Sequence, residues 1–583
     1  MPETLLLNGE TIISGICIGK AYIYRKISSM VTRKKLKTSE IYGEIKRYEK
    51  ALNKVKNQII SEAKRVKVEI GTEQAEIIES HILITDDPFF KEEVPRMIEK
   101  HELNAEKVIL DGLGVFIDAF QKMEDPYMRE RGKDIEDVAL RIIRVLSNSE
   151  EYGKLYNIRG ILVAQELKPS MVTNLNPRLI KGIITEFGGE TSHAVILAKS
   201  LNIPLLINVK NATTLINQND TLIIDGLSSQ VVVNPDQHIL NNYREKLKEY
   251  RSKLKTIEKT KSLPSVTKDG TKILLMANID MPGDTDSAIK YGAEGVGLFR
   301  TELPFIIENR ILSEEEQFKL YRDVIKKMKD KIVTIRTLDI GGDKFLPFSE
   351  TIETKMANPF LSLRSVRISI LKPDVFRVQI RAILRASIFG KTRILIPLIS
   401  SYEEMEKIFN IIDEEKANLE KSGIPYDRKI ERGIMIEVPS AAILADQLIK
   451  RCDFFSIGTN DLIQYTLAVD RTDESVAEFY VPESPAVLRL ISYTAKAAIK
   501  EDKPCAVCGV LAGNPIFTPF FIGVGIRELS MEPNLIPQVK LLIRECSISD
   551  VESFAEEVLS MRKADRIREA FREFCKKYEL LLL

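Results

Sequence analysis

Phe187-Gly188-Gly189-Glu190-Thr191-Ser192-His193-Ala194-Val195-Ile196-Leu197-Ala198-Lys199 joins an apolar run, Ile180-Lys181-Gly182-Ile183-Ile184, to a second apolar run of helical length. It reads as strand, tight turn and helix, the unit of an α/β fold. Two glycines permit the turn, and Thr191 and Ser192 are good helix N-caps. His193 then falls in the first helical turn, where backbone N–H groups point outward and the macrodipole is positive. That end suits a phosphate and disfavours an imidazolium. The spacing therefore predicts a neutral, nucleophilic ring able to accept a phosphoryl group. By itself such a pattern more often marks a histidine that only caps a helix. The other three histidines lack such a setting: His81 lies in a helical apolar pattern, and His101 and His238 lie in charged stretches.

Outward from this turn, strand signals recur at Ile161–Ala164, Ile183–Thr185, Leu205–Ile207, Leu222–Ile224 and Val231–Val233, and residues 4–26 read as one or two strands. Between these pieces, Thr38 to Leu146 is long, charged and almost free of glycine, with breaks at Gly71-Thr72, Asp86-Asp87-Pro88 and near Asp125-Pro126. That pattern predicts about four helices. The simplest organisation is an α/β domain from residues 1–30 and 147–235 with a helical bundle, 31–146, inserted between its parts.

Residues 236–262 predict a linker helix. Leu240, Tyr243, Leu247, Tyr250, Leu254 and Ile257 form one narrow apolar stripe, ended by Leu263-Pro264. From 263 to 583 strands alternate with helices. The strand candidates are Ile273–Ile279, Gly295–Phe299, Ile332–Leu338, Arg393–Leu398, Gly433–Val438, Phe454–Ile457, Pro504–Cys508 and Arg527–Ser530. This is the count expected of a (β/α)8 TIM barrel. A helix over 551–577 is expected to close the chain.

At 583 residues the chain is too long for one core. With 85 basic and 84 acidic residues, no global field favours nucleic acid or a membrane surface. No apolar run approaches a membrane span, and the N-terminus carries an acid and no basic n-region, so no signal peptide is expected. Six scattered cysteines read as reduced, cytoplasmic usage.

Barrel active sites lie at the carboxyl ends of the strands. Those ends carry Arg300-Thr301-Glu302, Arg336 and Asp339 with Gly341-Gly342-Asp343-Lys344, Glu437, Gly458-Thr459-Asn460-Asp461 with Asp470-Arg471, and Cys508-Gly509. Asn358-Pro359-Phe360-Leu361, Arg364 and Arg367 lie between the third and fourth strands. Glu437 and Asp461, from different strands, fit a Mg2+ site completed by substrate oxygens and water. The arginines and lysine fit a small substrate bearing phosphate and carboxylate. Cys508 among cations could donate or accept a proton. Cys505-x-x-Cys508 also has metal-pair spacing, but no second pair is near and Cys505 falls inside the strand. Such a barrel can donate a phosphoryl group, and a mobile domain carrying a neutral histidine can accept it.

These motifs, with Leu298-Phe299-Arg300-Thr301-Glu302, Arg336-Thr337-Leu338-Asp339-Ile340-Gly341-Gly342-Asp343-Lys344 and Phe454-Phe455-Ser456-Ile457-Gly458-Thr459-Asn460-Asp461-Leu462-Ile463-Gln464-Tyr465, resemble the enzyme I family of the bacterial phosphoenolpyruvate:sugar phosphotransferase system. The resemblance covers essentially the whole chain. It implies a swivelling α/β phosphohistidine domain with His193 as the phosphorylated residue. It implies that Arg300, Arg336, Lys344, Arg364, Asn460 and Arg471 bind phosphoenolpyruvate, that Glu437 and Asp461 hold Mg2+, and that Cys508 protonates the enolate to pyruvate. The helical insert would dock the phosphocarrier HPr, and the barrel would form a homodimer. Residues 61–100, with ten acids against six bases, suit a basic partner only weakly.

Six positions depart from the family pattern. Glu190 and Lys199 stand where arginine is usual, Lys168 where a hydroxyl is common, Val510 where glutamate follows Cys-Gly, Ser362 for glycine and Glu483 for methionine. Every primary ligand is present, so the core reaction is expected to survive. The rival dikinase and phosphoenolpyruvate synthase readings need a large nucleotide-binding domain, which a helical insert without a Gly-rich phosphate loop does not supply. A regulatory paralogue that binds a phosphocarrier with weak or no turnover is the remaining alternative, and Val510 and Glu190 are its support.

Overall fold

A computed structural model describes residues 4–24, 33–69, 72–121, 126–147, 157–189, 192–201, 203–308, 310–341, 361, 363–471 and 473–577. The chain divides into two compact units, residues 1–253 and 254–582.

The first unit holds an eight-stranded sheet. Its strands are β1 (Leu5–Asn8), β2 (Glu10–Ile13), β3 (Ile16–Ile23), β4 (Ile161–Ala164), β5 (Gly182–Thr185), β6 (Leu205–Ile207), β7 (Thr221–Asp225) and β8 (Gln230–Val233), in spatial order β1-β8-β7-β3-β4-β5-β6-β2. β3, β4, β5 and β6 run parallel, and the remaining pairs are antiparallel. β4 and β5 are buried along their whole length, which is why they read as unbroken apolar runs. The N-terminal segment forms three strands where one or two were expected. Helices Thr38–Glu69, Thr72–Thr85, Val94–His101, Ala105–Gln121 and Pro126–Leu146 lie between β3 and β4. Among the described residues they number five, because Glu102, in a left-handed conformation (φ 52°), interrupts one expected helix.

An ionic seam, buried at Arg141, Glu62 and Asp137 and open to solvent at Lys133, joins these helices to the segment after β4. Arg141 pairs with Glu62 at 2.7 Å and with Asp137 at 3.5 Å, and Asp137 accepts from the N–H and hydroxyl of Ser170. Lys133 pairs with Glu166 at 2.7 Å and Lys168 with Glu136 at 3.1 Å. His81 is fully buried here, 3.3 Å from Asp134.

Helix Gln237–Thr260 follows β8. Leu240, Tyr243, Leu247, Tyr250 and Ile257 are its half-buried stripe, and the rest of its face to residue 259 is largely exposed. Its first half is anchored on buried Asp225, which accepts from Lys246 Nζ at 2.6 Å and Tyr243 Oη at 3.1 Å. Burial alone would raise the Asp225 carboxyl, but the Lys246 contact carries it below the ordinary range.

The second unit is a closed parallel barrel of β9 (Leu274–Ile279), β10 (Val296–Phe299), β11 (Val333–Arg336), β12 (Thr392–Ile396), β13 (Glu431–Ile436), β14 (Phe454–Ile457), β15 (Cys505–Val507) and β16 (Glu528–Met531). β16 pairs with β9 to close it. Leu298, Leu395, Met435, Phe454 and Cys508 form a buried cluster of their own. Full burial of side chains of this size contributes about 1.5–3 kcal/mol each. Arg393 crosses to Glu528 at 3.0 Å, over the Phe454 ring. Two helices, Ile548–Ser560 and Ala564–Lys577, end the described chain where one was expected, because Met561 is extended (φ −72°, ψ 151°).

Replacing Asp225 with Asn removes the charge that Lys246 and Tyr243 share. Urea unfolding should show the first unit destabilised by about 1–3 kcal/mol.

Candidate active site

The carboxyl ends of the barrel strands gather most of the charged residues singled out in the sequence. Arg336, the last residue of β11, donates to Glu302 at 2.9 Å and lies 3.3 Å from Asp339. Arg364 reaches both Asp339 oxygens, at 3.1 and 3.2 Å, and Asp461 at 3.3 Å. Its other nitrogen donates to Tyr465 Oη at 3.3 Å. All these charged side chains are buried. Burial alone would lower the Arg364 guanidinium, but Asp339 and Asp461 more than offset that and raise its pKa.

Local structure aims these groups. The Glu302 carboxylate accepts from the N–H of Asp339 at 2.7 Å. Gln379 donates to Thr301 and Tyr321 and accepts from the N–H of Leu338, joining strand ends to helix Pro373–Ala386. Glu437 follows β13, and its Oε1 accepts from the N–H of Leu398 at 2.6 Å. Leu398 holds φ 55°, a left-handed conformation unusual for a leucine. Gly458 leaves room beside Glu437: a Cβ there would lie 2.7 Å from Oε2.

Glu437 and Asp461 suit a divalent cation by their charge. Burial, then Asp461 and Asp339, push the Glu437 carboxyl up to about 8. A divalent cation would relieve that crowding. Among the described residues no group of three or more His, Cys, Asp or Glu is arranged to hold a metal ion; a pair of carboxylates leaves coordination positions for substrate oxygens and water.

Cys508 follows β15 and is buried. Burial pushes its thiol up to about 11, against the lowering influence of the neighbouring Ser456 hydroxyl. The thiol is therefore protonated at neutral pH. Gly509 is required beside it, because a Cβ would collide with Thr459.

The remaining expected residues are placed less uniformly. Arg300 lies 3.5 Å from Asp280 and Arg471 lies 4.0 Å from Asp461, both partly exposed. Asn460 caps a neighbouring turn, its Oδ1 accepting from the N–H of Val510 at 3.0 Å. Arg367 turns to Glu404 at 3.3 Å. Lys344 lies outside the described residues, as do Asn358-Pro359-Phe360 and Ser362.

In the first unit, helix His193–Leu201 begins at the expected residue, and Ser192 Oγ accepts from the N–H of Val195 at 3.3 Å as its cap. The turn before it is tied to the end of β4 by Glu186 N–H to Ala164 O at 3.2 Å and to the loop that follows by Phe187 N–H to Gln165 O at 2.8 Å. Glu190, Thr191 and the side chains of His193 and Lys199 lie outside the described residues.

A barrel rim of arginines, carboxylates and a protonated thiol defines an enzyme for a small phosphorylated carboxylate. Three family models agree. They are the PEP-binding domain of PEP-utilising enzymes over residues 254–548, their N-terminal domain over 8–131 and their mobile domain over 157–229. Curated relatives named phosphoenolpyruvate-protein phosphotransferase match nearly end to end. The Listeria innocua protein is 37% identical over 97% of this chain and 99% of its own. The Bacillus subtilis protein is 38% identical over 96% and 98%, and that of Staphylococcus carnosus 35% over 98% and 99%. The chain belongs to the phosphoenolpyruvate-protein phosphotransferase family.

The thiol gives a pH prediction. A group raised to about 11 is protonated below that value. Alkylation of Cys508 by iodoacetamide, followed by peptide mass spectrometry, should stay slow at neutral pH and climb only as pH approaches 11. A half-maximal rate near neutrality would contradict it.

Proposed function

We propose that the protein transfers the phosphoryl group of phosphoenolpyruvate to its own His193, releases pyruvate, and passes the group to a histidine of the phosphocarrier HPr. This would be the first step of phosphotransferase-system sugar uptake or of its regulation. The observation that carries this reading is the buried rim of Arg336, Arg364, Glu437, Asp461 and Cys508, in a chain whose relatives carry that activity in their names over its whole length.

Arg336 and Arg364 bind the anionic substrate, with Arg300, Arg471, Asn460 and Lys344 completing its contacts. Their fixed charges are in place before charge develops, so little reorganisation is needed. Glu437 and Asp461 hold a divalent cation, Mg2+ in our reading, which would neutralise phosphoryl charge when bound. The His193 nitrogen forms its bond to phosphorus as the bridging P–O bond breaks and its electron pair passes to the enolate. Cys508 then gives its proton to the enolate carbon, yielding pyruvate. His193 lies in the segment matched by the mobile-domain model, which suits a residue that serves two reaction partners.

The helical insert is the proposed HPr dock, and the barrel the proposed homodimer interface. A cytoplasmic location is supported by six free, buried thiols. No described helix is long and apolar enough to cross a membrane.

Incubation with phosphoenolpyruvate and Mg2+ should add one phosphate to the intact mass, acid-labile and alkali-stable, in the wild type and not in His193→Ala. Absence of that gain in wild-type protein shown to bind phosphoenolpyruvate would refute the reading.

A further inference from the structure

The barrel interior holds a polar chain that none of these steps uses. Asn278 on β9 donates from Nδ2 to the carbonyl of Cys508 at 3.1 Å. Ser530 on β16 donates from Oγ to Asn278 Oδ1 at 2.7 Å. Ser530 is buried and Asn278 half-buried. Polar side chains inside a barrel are costly unless hydrogen-bonded. Here the Ser530 hydroxyl also fixes the amide: with Oδ1 engaged as acceptor, the NH2 side faces Cys508.

Cys508 stands where β15 ends and the chain turns through Gly509. Its N–H donates to Ile457 O at 3.0 Å. Its carbonyl is held by Asn278. Both peptide planes flanking its Cα are thus fixed, leaving the thiol mainly its χ1 rotation, with Sγ 3.6 Å from Ile457 O. The Ile457 anchor is backbone and insensitive to side-chain identity. Asn278 is the anchor that side-chain identity controls. A displacement of about 1 Å in a reacting group can cost about 100-fold in rate.

We propose that Asn278, aligned by Ser530, is a positioning residue for Cys508 that sets the line of proton delivery to the enolate carbon. This rests on the reading of Cys508 as proton donor. In that step the S–H bond breaks and the enolate C=C pair forms the new C–H bond. The C–O⁻ becomes the ketone, and the thiolate is reprotonated from water.

The same proton transfer runs in reverse as exchange of pyruvate C3 hydrogens with D2O, followed by NMR with Mg2+ present. Asn278→Ala and Ser530→Ala should slow exchange about tenfold or more, while phosphoenolpyruvate affinity in a His193→Ala background stays within about twofold. A purely structural role in barrel closure moves both together. Unchanged exchange, or joint loss of exchange and affinity, would overturn the proposal. Should Asn278→Ala fail to fold, Ser530→Ala, which deletes one hydroxyl, decides alone. Wild-type protein that neither exchanges pyruvate hydrogens nor gains phosphate would instead sink the underlying reading of Cys508 and His193.

Discussion

The catalytic half of the molecule depends on opposed charges held out of water at the barrel mouth. Glu302, Asp339 and Asp461 pair with Arg336 and Arg364 at 2.9–3.3 Å, Glu437 lies within the field of both arginines, and all six are buried. Removing any partner leaves a buried charge uncompensated, which costs several kcal/mol. That constraint explains the conformations around it. Leu398 accepts a left-handed backbone to give its N–H to Glu437. Gln379, a polar residue on a core-facing helix position, serves the strand ends instead of solvent. Burial and the neighbouring Asp461 and Asp339 raise the Glu437 carboxyl, and a divalent cation bound there would offset that negative charge.

The barrel was legible because parallel strands buried on both faces leave unbroken apolar runs. Each of the eight runs became a strand, with ends shifted by a residue or two. Strand-end motifs located Arg336, Arg364, Glu437, Asp461 and Cys508 because the topology brings every carboxyl end to one rim. Pairings across the barrel were not legible. Asn278 and Ser530 are 252 positions apart, and no local pattern links them. Tyr465 stood in a quoted motif, yet its contact with Arg364 depends on where a distant loop folds back. Gln379 had a signal, a polar residue in phase with Phe376, Ile380 and Ile383.

Several sequence departures acquire a physical setting. Val510 is exposed and serves Asn460 through its backbone N–H, so the bond made there survives a change of side chain. Glu483 forms a two-pronged contact with Arg568 at 3.1 and 3.3 Å, tying the last described helix to the loop behind Tyr480. Lys168 pairs with Glu136 while Lys133 pairs with Glu166, so two oppositely directed ion pairs fasten the loop after β4 to the insert. A hydroxyl at position 168 could not make that pair. Glu190 and Ser362 lie outside the described residues, and for Lys199 the side chain does.

The inserted helices impose an order on synthesis. β1 pairs with β8 and β3 with both β4 and β7, so Leu5 meets Val233 and Ile16 meets Asp225. At ribosomal speeds the first strands emerge roughly 10–50 s before their partners exist. During that interval the helical block can begin to form, but its core runs on into β4, β5 and β6 and is completed only once those strands have emerged. The opening strands meanwhile wait as an unpaired apolar edge, the kind of segment that nascent-chain chaperones shield. A ribosomal pause within the insert would lengthen that exposure, whereas a pause after β8 would not.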